Sequence, residues 1–328
     1  MSKGSKFRAF LKANIMWAIL ILLIVVFSLL SEHFFSWRNL MNICTQNSYF
    51  LIAALGVGMI MISGGTDLAA GQCMSVVGVM VAMSMKNWGL PIVVAILIGI
   101  VAGIVLGMFN GYAANLLKIH PMIVTLATMT MFQGISYTIS GSKSFFNFDP
   151  AYKFIGQGYV GKVSFPVIIA LVLAIIVHFV LEKTCFGRFV YAAGGNAEAA
   201  RLAGINVKRI KVIVFAIAGA LYAIAAVVLT SRSGSANSGM GPGTEFDSIT
   251  ACVLGGISFI GGEGKVKGII VGVLILGVLS NGMQLIGMGV YSQYIVKGII
   301  LMLSIGYDTI QKTARVKKAT TEKTEAAA

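Results

Sequence analysis

The sequence predicts an all-α, polytopic membrane protein of about ten transmembrane helices with both termini cytoplasmic. Three observations carry that prediction. The 328 residues are 57% hydrophobic and only 11% charged, with five Pro, too apolar a balance for a soluble domain of this length. The apolar residues gather into stretches near 14–30, 49–63, 68–85, 91–115, 121–140, 165–181, 212–230, 249–260, 268–286 and 292–308. Most of these are close to the roughly 20 residues needed to cross a hydrocarbon core about 30 Å thick. Finally, Lys and Arg fall unevenly among the connections, as a fixed topology requires.

The first stretch, Asn14 to Leu30, carries no charge and follows a basic leader of Lys3, Lys6, Arg8 and Lys12. A cleaved signal peptide has the same outline, but no small-residue cleavage site precedes His33-Phe34-Phe35, so the stretch is kept as a first helix. The second stretch ends in Ile62-Ser63-Gly64-Gly65-Thr66-Asp67-Leu68, where paired glycines interrupt the helix and leave Asp67 near the start of the next. A carboxylate there can cap exposed N–H groups, or it can line a pathway where helices break. Both readings stand at this point.

The stretch 91–115 carries Gly99, Gly103, Gly107 and Gly111, four residues apart and so on one stripe. Such a stripe lets another helix backbone approach closely, and packing is favoured over a glycine-lined conduit. Asn110, Gln133, Asn281 and Gln284 lie inside or at the ends of apolar stretches. Their amides both donate and accept, so together with Asp67 they are the candidate translocation path, with interhelical hydrogen bonding as the plain alternative. Lys297, near the start of the last stretch, is expected to snorkel to the interface.

Three connections, 31–47, 141–164 and 231–248, are expected outside, and 182–211 is the longest expected inside. With a cytoplasmic amino terminus, the inner side holds the leader cations, Lys118, six Lys or Arg from Lys183 to Lys211, Lys265, Lys267 and five in the tail. The outer side holds only Arg38, Lys86, Lys143, Lys153, Lys162 and Arg232. The formal charge of +14 therefore reports topology and contact with anionic lipid, and nucleic acid is not implied. Two sets of four stretches, 49–140 and 212–308, hint at a duplicated unit. Residues 1–311 are expected to form one transmembrane domain, and 312–328 are a polar Lys, Thr, Glu and Ala tail expected to be disordered or a frayed helix.

Chemistry is sparse. Cys44, Cys73, Cys185 and Cys252 have no C-x-x-C or framework spacing, and His33, His120 and His178 are scattered rather than clustered with one another, so no metal site is expected. Gly255-Gly256-Ile257-Ser258-Phe259-Ile260-Gly261-Gly262-Glu263-Gly264-Lys265-Val266 has the look of a phosphate loop. It lacks the first glycine of G-x-x-x-x-G-K-[ST] at Phe259 and the hydroxyl residue at Val266. The chain is thus expected to bind no nucleotide and to be no enzyme.

The connection 182–211 is the most informative. Asn196 is a suitable N-cap, Glu198 sits in the first turn and Gly204 supplies a stop, which predicts a short helix with a low-relief surface. Glu198-Ala199-Ala200 followed after three residues by Gly204 resembles the E-A-A-x-x-x-G signature of permease subunits of ABC importers. Phe186-Gly187-Arg188, Gly194-Gly195-Asn196, Gly64-Gly65-Thr66-Asp67-Leu68, Gly255-Gly256-Ile257-Ser258 and Tyr294-Ile295-Val296-Lys297-Gly298 extend the likeness from about Phe34 to Asp308. They are similar to the ribose/galactose branch. Glu245-Phe246-Asp247 with Ala251-Cys252-Val253-Leu254-Gly255-Gly256 is more similar to galactose/methyl-galactoside permeases.

The resemblance implies a multi-pass protein of the bacterial inner membrane that translocates a monosaccharide as one half of a permease dimer, expected to be a homodimer. Glu198, Ala199, Ala200 and Gly204 would couple it to ATP-binding cassette subunits, which bind the ATP and Mg, while an external sugar-binding protein delivers substrate. The alternative is an ATP-independent sugar facilitator or secondary transporter.

Overall fold

A computed structural model describes residues 15–327, with side chains described as far as Ile310; the basic leader lies outside the described residues. The chain is almost entirely helical. In order come α1 (Ile15–Leu30), α2 (Trp37–Gln46), α3 (Ser48–Ile62), α4 (Ala70–Lys86), α5 (Ile92–Leu117), α6 (Pro121–Ser140) and α7 (Pro150–Gln157). They are followed by α8 (Phe165–Lys183), α9 (Cys185–Gly195), α10 (Ala197–Leu202), α11 (Val207–Ser233), α12 (Thr244–Leu254), α13 (Val266–Leu285) and α14 (Val290–Ala327).

Among the described residues, six helices are long and apolar enough to cross a membrane: α5, α6, α8, α11, α13 and the part of α14 from Val290 to Ile310. The pair α2 and α3, bent by 42° at Asn47, makes a seventh if taken as one span. Helices α1 and α4 are apolar but shorter, at 16 and 17 residues.

The stretch 249–260 departs from its expected form. It is no spanning helix: α12 stops at Leu254, and Gly256, at φ +77°, turns the backbone so that Ile257 N–H reaches back to the Cys252 carbonyl at 2.9 Å. This is a glycine-closed helix end. Non-helical backbone then runs to Lys265. Hydropathy counted the side chains of this stretch and missed that its glycines release the helix.

Helix α11 is the centre of the bundle and packs most extensively on α5 and α3. Every residue of α3 from Phe50 to Ile62 is buried, as expected of a helix apolar on all sides. The glycine stripe of α5 does what packing requires. A Cβ at Gly103 would strike the Gly219 carbonyl of α11, and one at Gly107 the Phe215 carbonyl. On the opposite face of α5, Val93, Leu97, Val101, Val105 and Met108 are exposed. Lipid is as apolar as these side chains, so burial gives little drive to associate, and close backbone contact along the stripe supplies it instead.

The connections sort to two ends. At one, β1 (Phe145–Phe146) pairs antiparallel with β4 (Ser235–Ala236), and β2 (Tyr159–Val160) with β3 (Val163–Ser164). The Ser231 hydroxyl there accepts from Gly156 N–H at 2.7 Å, tying α7 to the end of α11. The segments expected outside thus meet one another. At the other end the Tyr191 hydroxyl donates to the Gly264 carbonyl at 2.8 Å, and the Asn115 amide to that of Lys208 at 2.8 Å. These segments were expected inside, and they too meet.

Candidate functional site

The break between α3 and α4 is built from glycine geometry. Gly64, at φ +79°, ends α3, and the N–H groups of Gly64 and Gly65 bond the Met61 and Ile60 carbonyls at 3.0 Å each. Beyond it the chain runs non-helically through fully buried residues, so its polar groups need partners. Thr125 of α6 supplies them: its hydroxyl accepts from Leu68 N–H at 3.0 Å and donates to the Thr66 carbonyl at 3.3 Å. Asp67 is 1% exposed. One carboxylate oxygen accepts from Ala69 N–H at 2.8 Å and the other from the Tyr222 hydroxyl of α11 at 3.1 Å. Its carboxylate therefore does the local, cap-like work anticipated for it and also ties the break to the central helix.

A second non-helical segment, 234–243, dips into the bundle from the other end and leads into α12. Gly241 N–H donates to the Ser75 hydroxyl of α4 at 3.1 Å, and a Cβ at Gly71 would meet both Glu245 and the Gly241 carbonyl. Glu245, wholly buried, accepts from Gly243 N–H at 3.0 Å. Each half of the chain thus has a helix, a non-helical break and a second helix beginning beside a buried carboxylate, and the two beginnings touch, although only the first break is buried, from Gly65 to Ala69.

The short helix α10 forms where the sequence placed it. Asn196 caps it through Glu198 N–H at 3.1 Å and Ala199 N–H at 2.9 Å. At its other end Gly204, at φ +83°, closes it, with Gly204 N–H bonding the Arg201 carbonyl and Ile205 N–H that of Ala200, both at 3.0 Å. Only Ala200 is buried. Glu198 pairs with Arg201 on the exposed face, and Leu202 stands 79% exposed.

Behind α10 lies a knot of four glycines from three segments. A Cβ at Gly194 would collide with the Ile62 carbonyl, and one at Gly261 with the backbone of Gly64. Gly262 N–H donates to the same Ile62 carbonyl at 2.9 Å. The α9–α10 corner therefore rests directly on the breaks after α3 and α12.

The other path candidates are dispersed. Asn110 is buried, and its amide oxygen has no hydrogen-bond partner among the described residues. Asn281 and Asn39 exchange two amide hydrogen bonds, at 2.9 and 3.0 Å. Gln133 and Gln284 lie on exposed faces of α6 and α13. None of these four meets Asp67.

Lys297 does not snorkel. Its ammonium donates to Asp247 of α12 at 2.7 Å with the two side chains 21% and 32% exposed. Sequence reasoning missed Asp247, Glu245 and Tyr222 as polar anchors, although two of them are charges bordering an apolar run.

Residues 39–305 match the family described as "Branched-chain amino acid transport system / permease component". The chain belongs to this permease family. It is 36% identical over 329 residues to the galactose/methyl galactoside import permease protein MglC of Escherichia coli (strain K12), covering 95% of this chain and 98% of that one. It is also 37% identical over 291 residues to the ribose import permease protein RbsC of Bacillus subtilis (strain 168), covering 88% and 90%. The xylose transport system permease protein XylH of Haemophilus influenzae (strain ATCC 51907 / DSM 11121 / KW20 / Rd) is 32% identical over 364 residues, covering 92% and 97%. No solved structure matches. As a permease of this family the chain is a multi-pass protein of the inner membrane.

Proposed function

We propose that this chain is the membrane-spanning subunit of an ATP-driven importer that carries a monosaccharide, galactose-like or ribose-like, into the cell. The observation that carries the reading is α10: an exposed, doubly capped helix with an unpartnered Leu202, continuous through Asn196 with α9, whose Gly194 sits in the glycine knot that joins two breaks in the bundle. A partner pressing on Glu198, Ala199, Ala200 and Gly204 would act on those breaks through backbone contacts, which transmit displacement with little slack. ATP and Mg belong to that partner, a cassette subunit, and this chain does no covalent chemistry.

The substrate class follows the relatives that match the chain nearly end to end, which are permeases for galactose/methyl galactoside, ribose and xylose. A second copy of the chain completes the conduit, and an external sugar-binding protein delivers the sugar. Ten crossings with both termini cytoplasmic fit the two-ended sorting of the loops, with α12 and the backbone to Lys265 making one crossing together. Among the path candidates, Asp67 and Asn110 act from within the bundle, Asn281 from its edge, and Gln133 and Gln284 reach substrate only at an interface with the second copy.

The test is uptake of labelled galactose, ribose, xylose and arabinose by proteoliposomes holding this chain, its cassette subunit and its binding protein. Uptake abolished by a hydrolysis-deficient cassette supports the importer. Uptake that survives it would show an ATP-independent facilitator.

A further inference from the structure

We propose that the cleft around the Asp247–Lys297 pair is a sugar-contact site through which the substrate passes on its way into the bundle; the proposal rests on the reading of the chain as a sugar permease. Two cavities of about 170 and 450 Å³ share Tyr49, Thr244, Asp247 and Lys297 as walls, so the ion pair stands between them. The larger falls within the roughly 300–1,000 Å³ of ordinary small-molecule sites. Arg232 lines the smaller cavity, and its carbonyl accepts from Gln157 of α7 at 2.9 Å, which places the cleft at the end where β1 and β4 pair. That is the end expected to face the binding protein.

The chemistry fits a polyol. Lys297 and Arg232 offer donors, the Asp247 carboxylate accepts, and the Tyr49 and Thr244 hydroxyls do both, which is the mixture needed by a ring whose hydroxyls each donate and accept. Phe246 and Tyr294, 46% and 63% exposed, wall the larger cavity and offer aromatic faces to the apolar side of a sugar ring. The pair is only partly hydrated, with side chains 21% and 32% exposed, and charges set among apolar spans are expensive to place and mark substrate pathways. The pair spans α12 and α14, so a hydroxyl inserted between the two charges would also loosen the contact between a half-helix and the last span.

The test uses the complete complex in proteoliposomes, with Asp247→Asn, Lys297→Met and the exchange Asp247→Lys/Lys297→Asp. Initial uptake of galactose, ribose and xylose is read beside ATP hydrolysis stimulated by the sugar-loaded binding protein. A lost hydrogen bond to a charged group corresponds to about tenfold or more. The two single variants are therefore expected to lose at least about tenfold in uptake with stimulated hydrolysis within about twofold of normal. Asp247→Asn is also expected to change the ratio of uptake among the three sugars, because their hydroxyls differ in position. Full recovery in the exchanged variant, or equal loss of uptake and hydrolysis, would make the pair a strut and overturn the proposal. Unchanged uptake in the single variants overturns the site while leaving the importer standing. A normal complex that moves no sugar overturns both.

Discussion

Gly194 of α9 lies against the Ile62 carbonyl at the end of α3, so closely that the smallest side chain would strike it, and Gly262 N–H bonds that same oxygen at 2.9 Å. One carbonyl therefore joins the break after α3, the break after α12 and the helix leading into α10. Gly194→Val has to separate these segments. Overpacking a tight contact costs about 1–3 kcal/mol, and here it falls at the end of α9, next to α10. We expect lowered thermal stability in detergent and loss of sugar-stimulated ATP hydrolysis in the reconstituted complex. Stimulation at the normal level would show that α10 does not act through this knot.

Gly204 presents a different case. No atom lies within 4 Å of where its Cβ would be, yet its φ of +83° is a conformation that side chains rarely adopt. Gly204→Asp adds a charge to the exposed end of α10 and strains the helix stop by about 1–2 kcal/mol. It is expected to insert and fold with a melting temperature near normal while uptake coupled to ATP falls to background. Gly204→Asn, which tolerates the left-handed conformation better and adds no charge, is expected to retain more uptake. Uptake equal to the normal protein in Gly204→Asp would remove α10 from the coupling path.

Asp67 accepts from two buried donors, Ala69 N–H and the Tyr222 hydroxyl. Asp67→Ala strands both inside the bundle, at about 1–3 kcal/mol for each unsatisfied group. Asp67→Asn keeps one acceptor oxygen, and its NH₂ can donate to a Tyr222 hydroxyl turned to accept. The expected order of melting temperature in detergent is normal protein, then Asp67→Asn, then Asp67→Ala. If Asp67→Asn melts normally but carries no sugar, the carboxylate acts on the path as well as in the fold.

What was legible in the sequence follows from the range over which each signal acts. The cap at Asn196 and the stop at Gly204 are local, so α10 could be placed to the residue. The four-residue glycine period of α5 is likewise local, and its packing role is seen in the contacts with Phe215 and Gly219. Pairs that define the interior are not local. Tyr222 and Asp67 are 155 positions apart, Asn39 and Asn281 are 242, and Lys297 and Asp247 are 50, and only the fold makes them neighbours. This is why Lys297 read as a snorkelling side chain and why Asn39 went unread as the partner of Asn281. The stretch 249–260 was misjudged for another reason: its apolar side chains satisfied a hydropathy count while Gly255 and Gly256 governed the backbone.

The amide pair of Asn39 and Asn281 allows the structural and transport roles of Asn281 to be separated. Each side chain donates to and accepts from the other, and Asn39 also donates to the Phe34 carbonyl at 3.0 Å, so the pair fastens the start of α2 to α13. Hydrogen bonds between membrane helices average about 0.6 kcal/mol and reach about 1.7 kcal/mol in double-mutant cycles. The reciprocal pair belongs at the upper end of that range. Asn39→Leu and Asn281→Leu are each expected to destabilise the folded protein, and the double variant by less than their sum, because the second substitution has no bond left to break. Unfolding free energies in mixed micelles would measure the cycle, with initial sugar uptake read on the same four proteins. A coupling energy near zero would make the pair incidental to stability. Coupling of the expected size with uptake lost only in Asn281→Leu would support that residue's place on the path, whereas equal uptake in the two single variants would make it a fastener alone.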